Sequence, residues 1–527
     1  MSCCGFGCFN LKSNVIFSKH LLTVHAAFEY KQGMRTFCTG MKARDRIAAV
    51  LYITLFVSYV YFLQNPWNHN SVPRIALDLS IIEDRALSID KYKSATKDIA
   101  YYHGRYYSDK APGLSFTALP VVVAARSFLL SRFSDAKWLL PGGGITKFFI
   151  YLQACANVLT TALITASAAL AIYYFAVRLG AGLAGAAFGA VTYGLATPAW
   201  GWATAFFSHN AAAGCSFLGL TAVYFLSVSP GGVKKEALIG FAAGALLSWS
   251  VVIELTSGPV AVIIAVYGIY AIRGRERRRL IPVLISAAAG ALILLTPLLI
   301  YNYSITGSVF NSLYKYSTNF PGMRHGFYGI TYPRPDVAAK LLFLPGYGLF
   351  WLSPVLLASP YALYRLWRGI PGGKALALVL SAVPVYYFLL NASYEYWTGG
   401  GSTGPRFLTP AIPFLCLPLP VMWAGAGKNT RAVLLVLLAV SILVSLMCVS
   451  FNMTYDFDPR KNVLTDVIIP GFVEGKNFQI SPILRTLMPA SLAGEGGGQT
   501  ALLPLYAVFF LSGVYVLRQL RKQNRMV

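Results

Sequence analysis

The sequence predicts an all-α polytopic membrane protein of about twelve transmembrane helices, and three observations carry that prediction. Of its 527 residues, 56% are hydrophobic and only 12% charged, whereas about a quarter of residues are charged in soluble domains. Apolar runs of about 17 to 25 residues recur along the chain, each long enough for a hydrocarbon core of about 30 Å. Between them, cations gather in short segments, as the positive-inside rule expects of cytoplasmic loops. The net charge of +25 is therefore read as topology and contact with anionic lipid headgroups. It is spread over many loops, with no single stripe of the kind that binds nucleic acid.

The first span is expected over Ile47 to Leu63, with Lys42, Arg44 and Arg46 before it on the cytoplasmic side. Further apolar runs cover roughly 113–131, 148–177, 181–204, 210–228, 238–254, 258–272, 280–301, 347–364, 375–391, 407–425, 431–450 and 501–517. The loop holding Arg273, Arg275, Arg277, Arg278 and Arg279 must be cytoplasmic. Six runs separate it from the outward loop after Leu63, yet an odd number of crossings is required. The run 113–131 is the one to remove, because Pro112 and Gly113 open it and Pro120 and Arg126 interrupt it. It should lie at the outer interface. Both termini are then inside, and every acidic residue except Glu29, Asp45, Glu236 and Glu276 falls at the outer face.

Of the eight cysteines, Cys3, Cys4, Cys8 and Cys38 precede the first span and the others lie in apolar runs, so no disulfide framework is implied. The leader 1–46 is expected to be poorly structured, with Met34 or Met41 as an alternative first residue. A module over 47–425 carries the outer loops 64–147, 302–346 and 392–406. The C-terminal spans, 426–527, enclose an outer loop over 451–500 that ends in the glycine-rich GEGGG. No repeat of fixed short period is present.

Chemistry is expected in the first outer loop, which gathers Asp78, Glu83, Asp84, Asp90, Asp98 and Asp109 with Arg74, Arg85 and Lys110. Ile75, Leu79, Ile82 and Leu87 form an approximate helical stripe, placing Asp78 one turn from Arg74 at the membrane surface. An ordinary solvated face with an i,i+4 ion pair gives the same pattern. In GRYYSDKAPG, Asp109 and Lys110 sit where the chain returns to the apolar layer, beside Tyr107. A cation at that depth suits a lipid-borne phosphate, and a carboxylate beside it can take a proton or hold a metal. A loop merely anchored by tyrosines is the alternative. His209 and Glu254 fall at outer helix ends. Trp397 offers a face for a sugar, Glu395 a partner for its hydroxyls, and Arg406 a fork for phosphate, with Arg324 a weaker phosphate contact. No Walker loop, dinucleotide fingerprint, zinc-spaced pair or nucleophile elbow is present.

YYSDKAPG at Tyr106 to Gly113 and WTGGGSTGPRFLTPAIP at Trp397 to Pro413 resemble the GT-C class of membrane glycosyltransferases. The resemblance falls in the branch near protein O-mannosyltransferases and lipid A aminoarabinose transferases, and covers about Trp67 to Pro420. It departs from its bacterial members at His103, where they carry Asn, and at the SHN around His209, where better-known branches carry an acid. The resemblance implies a GT-C-like fold with juxtamembrane helices in the first outer loop. It also implies transfer of a sugar from a polyprenyl-phosphate carrier to a protein, lipid or glycan acceptor, outside a bacterial inner membrane. On that reading Asp78, taken as exposed and ionised, is the base of an inverting displacement, Asp109 orients its partner, and Arg74, Lys110 and Arg406 receive the phosphate. No cofactor is assigned, and a divalent metal is left open. A transporter or flippase of lipid-linked sugars, or a non-catalytic envelope-assembly protein, is the alternative.

Overall fold

The computed structural model describes residues 42–524 except 229–230, 371, 457, 459–460, 476 and 490–497. The leader cysteines, Met34, Met41 and most of GEGGG lie outside the described residues. Ten helices among the described residues are long and apolar enough to cross a membrane, and the protein is an all-α polytopic membrane protein.

Contacts sort the helix ends into two sets. At one end Tyr173 binds the Arg44 carbonyl, Arg178 binds Val228, and Glu236 takes Arg275 and Arg279. This is the arginine-rich end. At the other, Gln64 binds Val449, Ser208 binds Glu254, Tyr347 binds Thr398, and Tyr61 binds Ala501. Nine of the ten long helices run from one end to the other. Three further passages are made by Ala43–Val60, by Gly182–Leu195 continued in Ala199–Ala203, and by the residues from Leu349 to Gly369. The last two were expected as unbroken spans over 181–204 and 347–364. They are broken instead where Pro198 and Pro354 withdraw a backbone donor and disfavour helix at the residue before them, while Pro360 sits in the first turn of the helix Ser359–Gly369.

The tenth long helix, Gly113–Arg132, begins and ends at the same end of the bundle. Its first residue lies against the C-terminal turn of Val233–Ile253, so tightly that a Cβ on Gly113 would fall 2.4 Å from the Ile253 nitrogen. Thr117 takes the Trp249 indole at 3.0 Å, and Phe133, just past its end, packs on Phe148. Phe148 belongs to Lys147–Arg178, a 32-residue helix. At 1.5 Å per residue it is about 48 Å long, so about 18 Å of it projects beyond a 30 Å core. The projecting turns carry Gly113–Arg132 and the first-loop helix Val72–Glu83 beside them. Glu83 ties this platform together through Arg126, Trp138 and Lys91 at 3.1, 2.6 and 2.7 Å.

A single two-stranded sheet occurs among the described residues, a hairpin of Ile99–Tyr102 and Arg105–Ser108. Its two-residue turn has φ of 47° at His103 and 81° at Gly104, the doubly left-handed geometry that matches strand twist. Ala100 also bridges to Ser317, and Thr318 donates to the Ile99 carbonyl at 2.9 Å. The second long loop is thereby stitched onto the first.

Candidate active site

The hairpin explains how the site's central pair arises. Ile99 faces Ser108 in the ladder, so Asp98 and Asp109 leave the sheet as neighbours. Lys110 lies between them: its Nζ is 2.9 Å from Asp98 Oδ2 and 3.1 Å from Asp109 Oδ1. The three side chains are 10% or less exposed. Ser317, brought in by the second loop, donates to Asp109 Oδ2 at 2.9 Å, and the Phe320 ring lies 5.4 Å from the ammonium. Burial pushes the Asp109 carboxyl above its usual range, and Lys110 and Ser317 draw it back only in part. Burial works against the charge on Lys110, but Asp109 and Asp98 more than offset it, so the lysine titrates above its ordinary value.

Arg74 reaches the same region from Val72–Glu83. Its guanidinium donates to Ser208 Oγ at 3.1 Å, to the Ala111 carbonyl at 3.3 Å and to Asn70 Oδ1 at 3.4 Å. Ser208 in turn donates to Glu254 Oε2 at 2.6 Å, and His209 Nδ1 stands 3.5 Å from that oxygen. The His209 ring is edge-on to Phe407 at 5.2 Å.

Arg406 closes the cluster. Its guanidinium carbon lies 5.3 Å from the Phe207 ring centroid and 5.1 Å from that of Phe407. Asp98 and Glu254 act on its charge from nearby. It forms no ion pair with any described carboxylate, and its buried Nε has no hydrogen-bond partner. The glycines before it make room: a Cβ on Gly399, at φ 75°, would meet Arg406 Nε at 2.8 Å, and one on Gly404, at φ 85°, would meet Leu352 at 2.2 Å.

Arg74, Asp109, Lys110, His209, Glu254 and Arg406 are thus brought together. Asp98 and Tyr314, whose hydroxyl lies within the electrostatic reach of Glu254, Arg74 and Asp109, were not singled out from sequence. Asp98 had a signal: tyrosine pairs on both sides of a two-residue His-Gly turn, Tyr101 and Tyr102 before it and Tyr106 and Tyr107 after it, predict a hairpin, and a hairpin sets 98 beside 109.

Asp78 is a correction. It was expected exposed and ionised, one turn from Arg74, but it is fully buried and neither carboxylate oxygen has a partner. Burial alone raises its pKa well above the ordinary aspartate value. The i,i+4 pair with Arg74 does not form, because the arginine turns to Ser208. Every residue from Val72 to Ser80 is buried, so the helix has no solvated face over this stretch.

The other candidates lie around the cluster. Arg324 is exposed on the turn Pro321–Arg324. Glu395 pairs with His325 at 3.1 Å, both partly exposed. Trp397 packs against the main core, edge-on to Tyr347. Tyr107 leans on the apolar cluster of the platform.

A divalent metal does not fit these residues. The Lys110 ammonium stands between Asp98 and Asp109, where such an ion would have to sit. Among the described residues no three His, Cys, Asp or Glu side chains converge as ligands.

No family model and no curated protein matches this sequence. Among solved structures, the crystal structure of ArnT from Cupriavidus metallidurans bound to undecaprenyl phosphate overlaps this chain with a TM-score of 0.45 at 14% identity. The overlap covers 90% of this chain and 71% of that one.

Proposed function

We propose that this protein is a glycosyltransferase that moves a sugar from a polyprenyl-phosphate carrier to an acceptor hydroxyl, at the membrane face bearing the buried cluster. The observation that carries the reading is Arg406: a cation wedged between two phenyl rings with no carboxylate of its own, beside Arg74, Glu254 and the Asp98–Lys110–Asp109 group. Leaving a charge in such surroundings uncompensated is costly, and a phosphate arriving from the lipid boundary would compensate it. The sequence motifs that contain Lys110 and Arg406 support the same reaction class.

The reaction is a single displacement. The acceptor oxygen forms a bond to the anomeric carbon as the bond from that carbon to the phosphate oxygen breaks, and the electron pair leaves with the phosphate. The acceptor proton passes to a carboxylate. Asp109 suits that role better than Asp78, because its oxygens are contacted by Lys110 and Ser317 whereas neither Asp78 oxygen has a partner, and because burial raises its pKa, which makes its carboxylate a stronger base. Arg406 and Arg74 take up the charge that accumulates on the leaving phosphate. The positive-inside rule puts this face outside the cytoplasm.

The test compares envelope glycans by mass spectrometry in cells with and without the gene. A sugar should disappear with the gene, return with the wild-type chain, and stay absent with Asp109→Asn at equal protein level. Full restoration by Asp109→Asn would overturn the mechanism, and unchanged glycans on deletion would overturn the function.

A further inference from the structure

The arginine-rich end, opposite the buried cluster, holds a cavity of about 460 Å³. It opens where the helices Lys147–Arg178, Ser208–Val228 and Gly258–Ile272 end and Gly373–Ala392 begins. Leu179, Val228 and Ile370 are among its apolar lining residues, and Tyr224, Ser227 and Tyr267 also line it, the Ser227 hydroxyl donating to the Tyr224 carbonyl at 2.7 Å. The volume is that of a small-molecule site, within about 300 to 1,000 Å³.

The charge at its rim is uneven. Arg275 and Arg279 are both engaged by the buried Glu236, which also accepts the Gly231 N–H. Of the three only Arg273 lies on the cavity lining, and it is exposed and forms no ion pair with any described carboxylate. Its guanidinium is held flat 3.6 Å from the Tyr270 ring centroid, and one N–H is anchored on the Tyr270 carbonyl at 3.0 Å. An arginine fixed in this way presents its remaining donors as a planar fork, the geometry that recognises phosphate. A cavity with apolar lining residues and an arginine free of any carboxylate partner combines the two features that an anionic lipid needs, a place for an acyl chain and a donor for its phosphate.

We infer that this cavity binds one anionic phospholipid of the leaflet opposite the buried cluster, with an acyl chain against Leu179 and Ile370 and the phosphodiester on Arg273. Basic pockets between transmembrane helices on the cytoplasmic side take acidic headgroups by the same physics. The site is separate from the proposed transfer reaction and does not depend on it.

The test uses the purified full chain, stripped of lipid in detergent and titrated with phosphatidylglycerol or phosphatidylcholine, with bound lipid counted by native mass spectrometry. The wild type should hold phosphatidylglycerol more tightly, and Arg273→Ala should reduce that preference about fivefold. Arg277→Ala, which removes the same charge from the exposed start of the next helix, should leave it unchanged. Ala375→Trp, which fills the cavity, should weaken both lipids; if that variant fails to fold, the arginine pair decides the matter. Equal binding of the two lipids by the wild type, or equal effects of Arg273→Ala and Arg277→Ala, would overturn the inference. Displacement of the lipid by millimolar inorganic phosphate would overturn it as well, in favour of a free-anion site.

Discussion

Removing the ammonium from between Asp98 and Asp109 is the sharpest perturbation the site offers. In Lys110→Met the two carboxylates keep their burial, at 8% and 1% side-chain exposure, and lose the group at 2.9 and 3.1 Å that neutralises them. Breaking a buried pair by deleting one partner costs about 3–5 kcal/mol. The cost should appear locally, because Asp98 and Asp109 flank the hairpin and Ser317 fastens the second loop to the same carboxylate. Hydrogen–deuterium exchange of the amides within 99–108 should therefore speed up by roughly 10² to 5 × 10³ at neutral pH. Adding Asp98→Asn to Lys110→Met should return a large part of that protection, since one of the stranded charges is then gone. The pH dependence has a definite sign. The Asp109 pKa is raised in the folded protein, so the stability tied to its proton is full below the unfolded value of about 4 and is lost as pH rises through the folded one. Without Lys110 that pKa rises further, so the defect should shrink as the pH falls from 8 toward 5. Exchange changed by less than threefold, or a defect that grows on acidification, would refute the electrostatic account.

Three further outcomes follow from the same geometry. Farnesyl phosphate, measured by microscale thermophoresis against the detergent-solubilised chain, should bind Arg406→Ala about 10- to 150-fold more weakly, as expected for loss of about 1.5–3 kcal/mol of charge-assisted hydrogen bonding. Exposed Arg324→Ala should bind it as the wild type does, and equal losses in both variants would count against the Arg406 clamp. Asp78→Asn should leave thermal stability equal or higher, because the buried carboxyl has no partner to lose, and should cost transfer less than tenfold. Asp109→Asn should cost about 10² to 10⁴ in the same transfer assay, and the reverse order would restore Asp78 as the base. His103→Asn should slow hairpin amide exchange about twofold, an effect of about 0.5 kcal/mol, because asparagine accepts the left-handed φ of 47° more readily than histidine; faster exchange would contradict the turn assignment.

The residues that were legible and those that were not divide along a physical line. Crossings were legible because a span is a property of consecutive residues, and the parity of the charged loops singles out Gly113–Arg132, whose first residue and the residue after its end both pack at one end of the bundle, as the apolar helix expected not to cross. The place of Arg406 beside the cluster has a local cause in the same motif: Gly399 leaves free the volume its side chain enters, where a Cβ would meet its Nε at 2.8 Å. Asp78 was misread because periodicity reports which residues share a face and says nothing of what covers the opposite one. Val72–Glu83 is enclosed by the platform helices and the bundle, and the face that looked polar is as dry as the apolar one. Asp98 was passed over for the opposite reason, since its role depends on a cross-strand neighbour eleven positions later.

That contrast bears on where the base should lie. A carboxylate without any partner, as at Asp78, is driven toward its neutral form and has no route for passing a charge onward. A carboxylate sharing an ammonium with a second acid, as at Asp109, can take up one proton while Lys110 and Asp98 remain paired. The second arrangement is the one in which accepting a proton from a hydroxyl leaves behind no uncompensated charge, and it requires that Asp98, Asp109 and Lys110 act together. Asp98→Asn should therefore lower transfer by slowing the chemical step with little change in donor binding, whereas Arg406→Ala should weaken donor binding as well. If Asp98→Asn changed binding alone, the three residues would be a structural anchor for the hairpin and the base would have to be sought at Glu254.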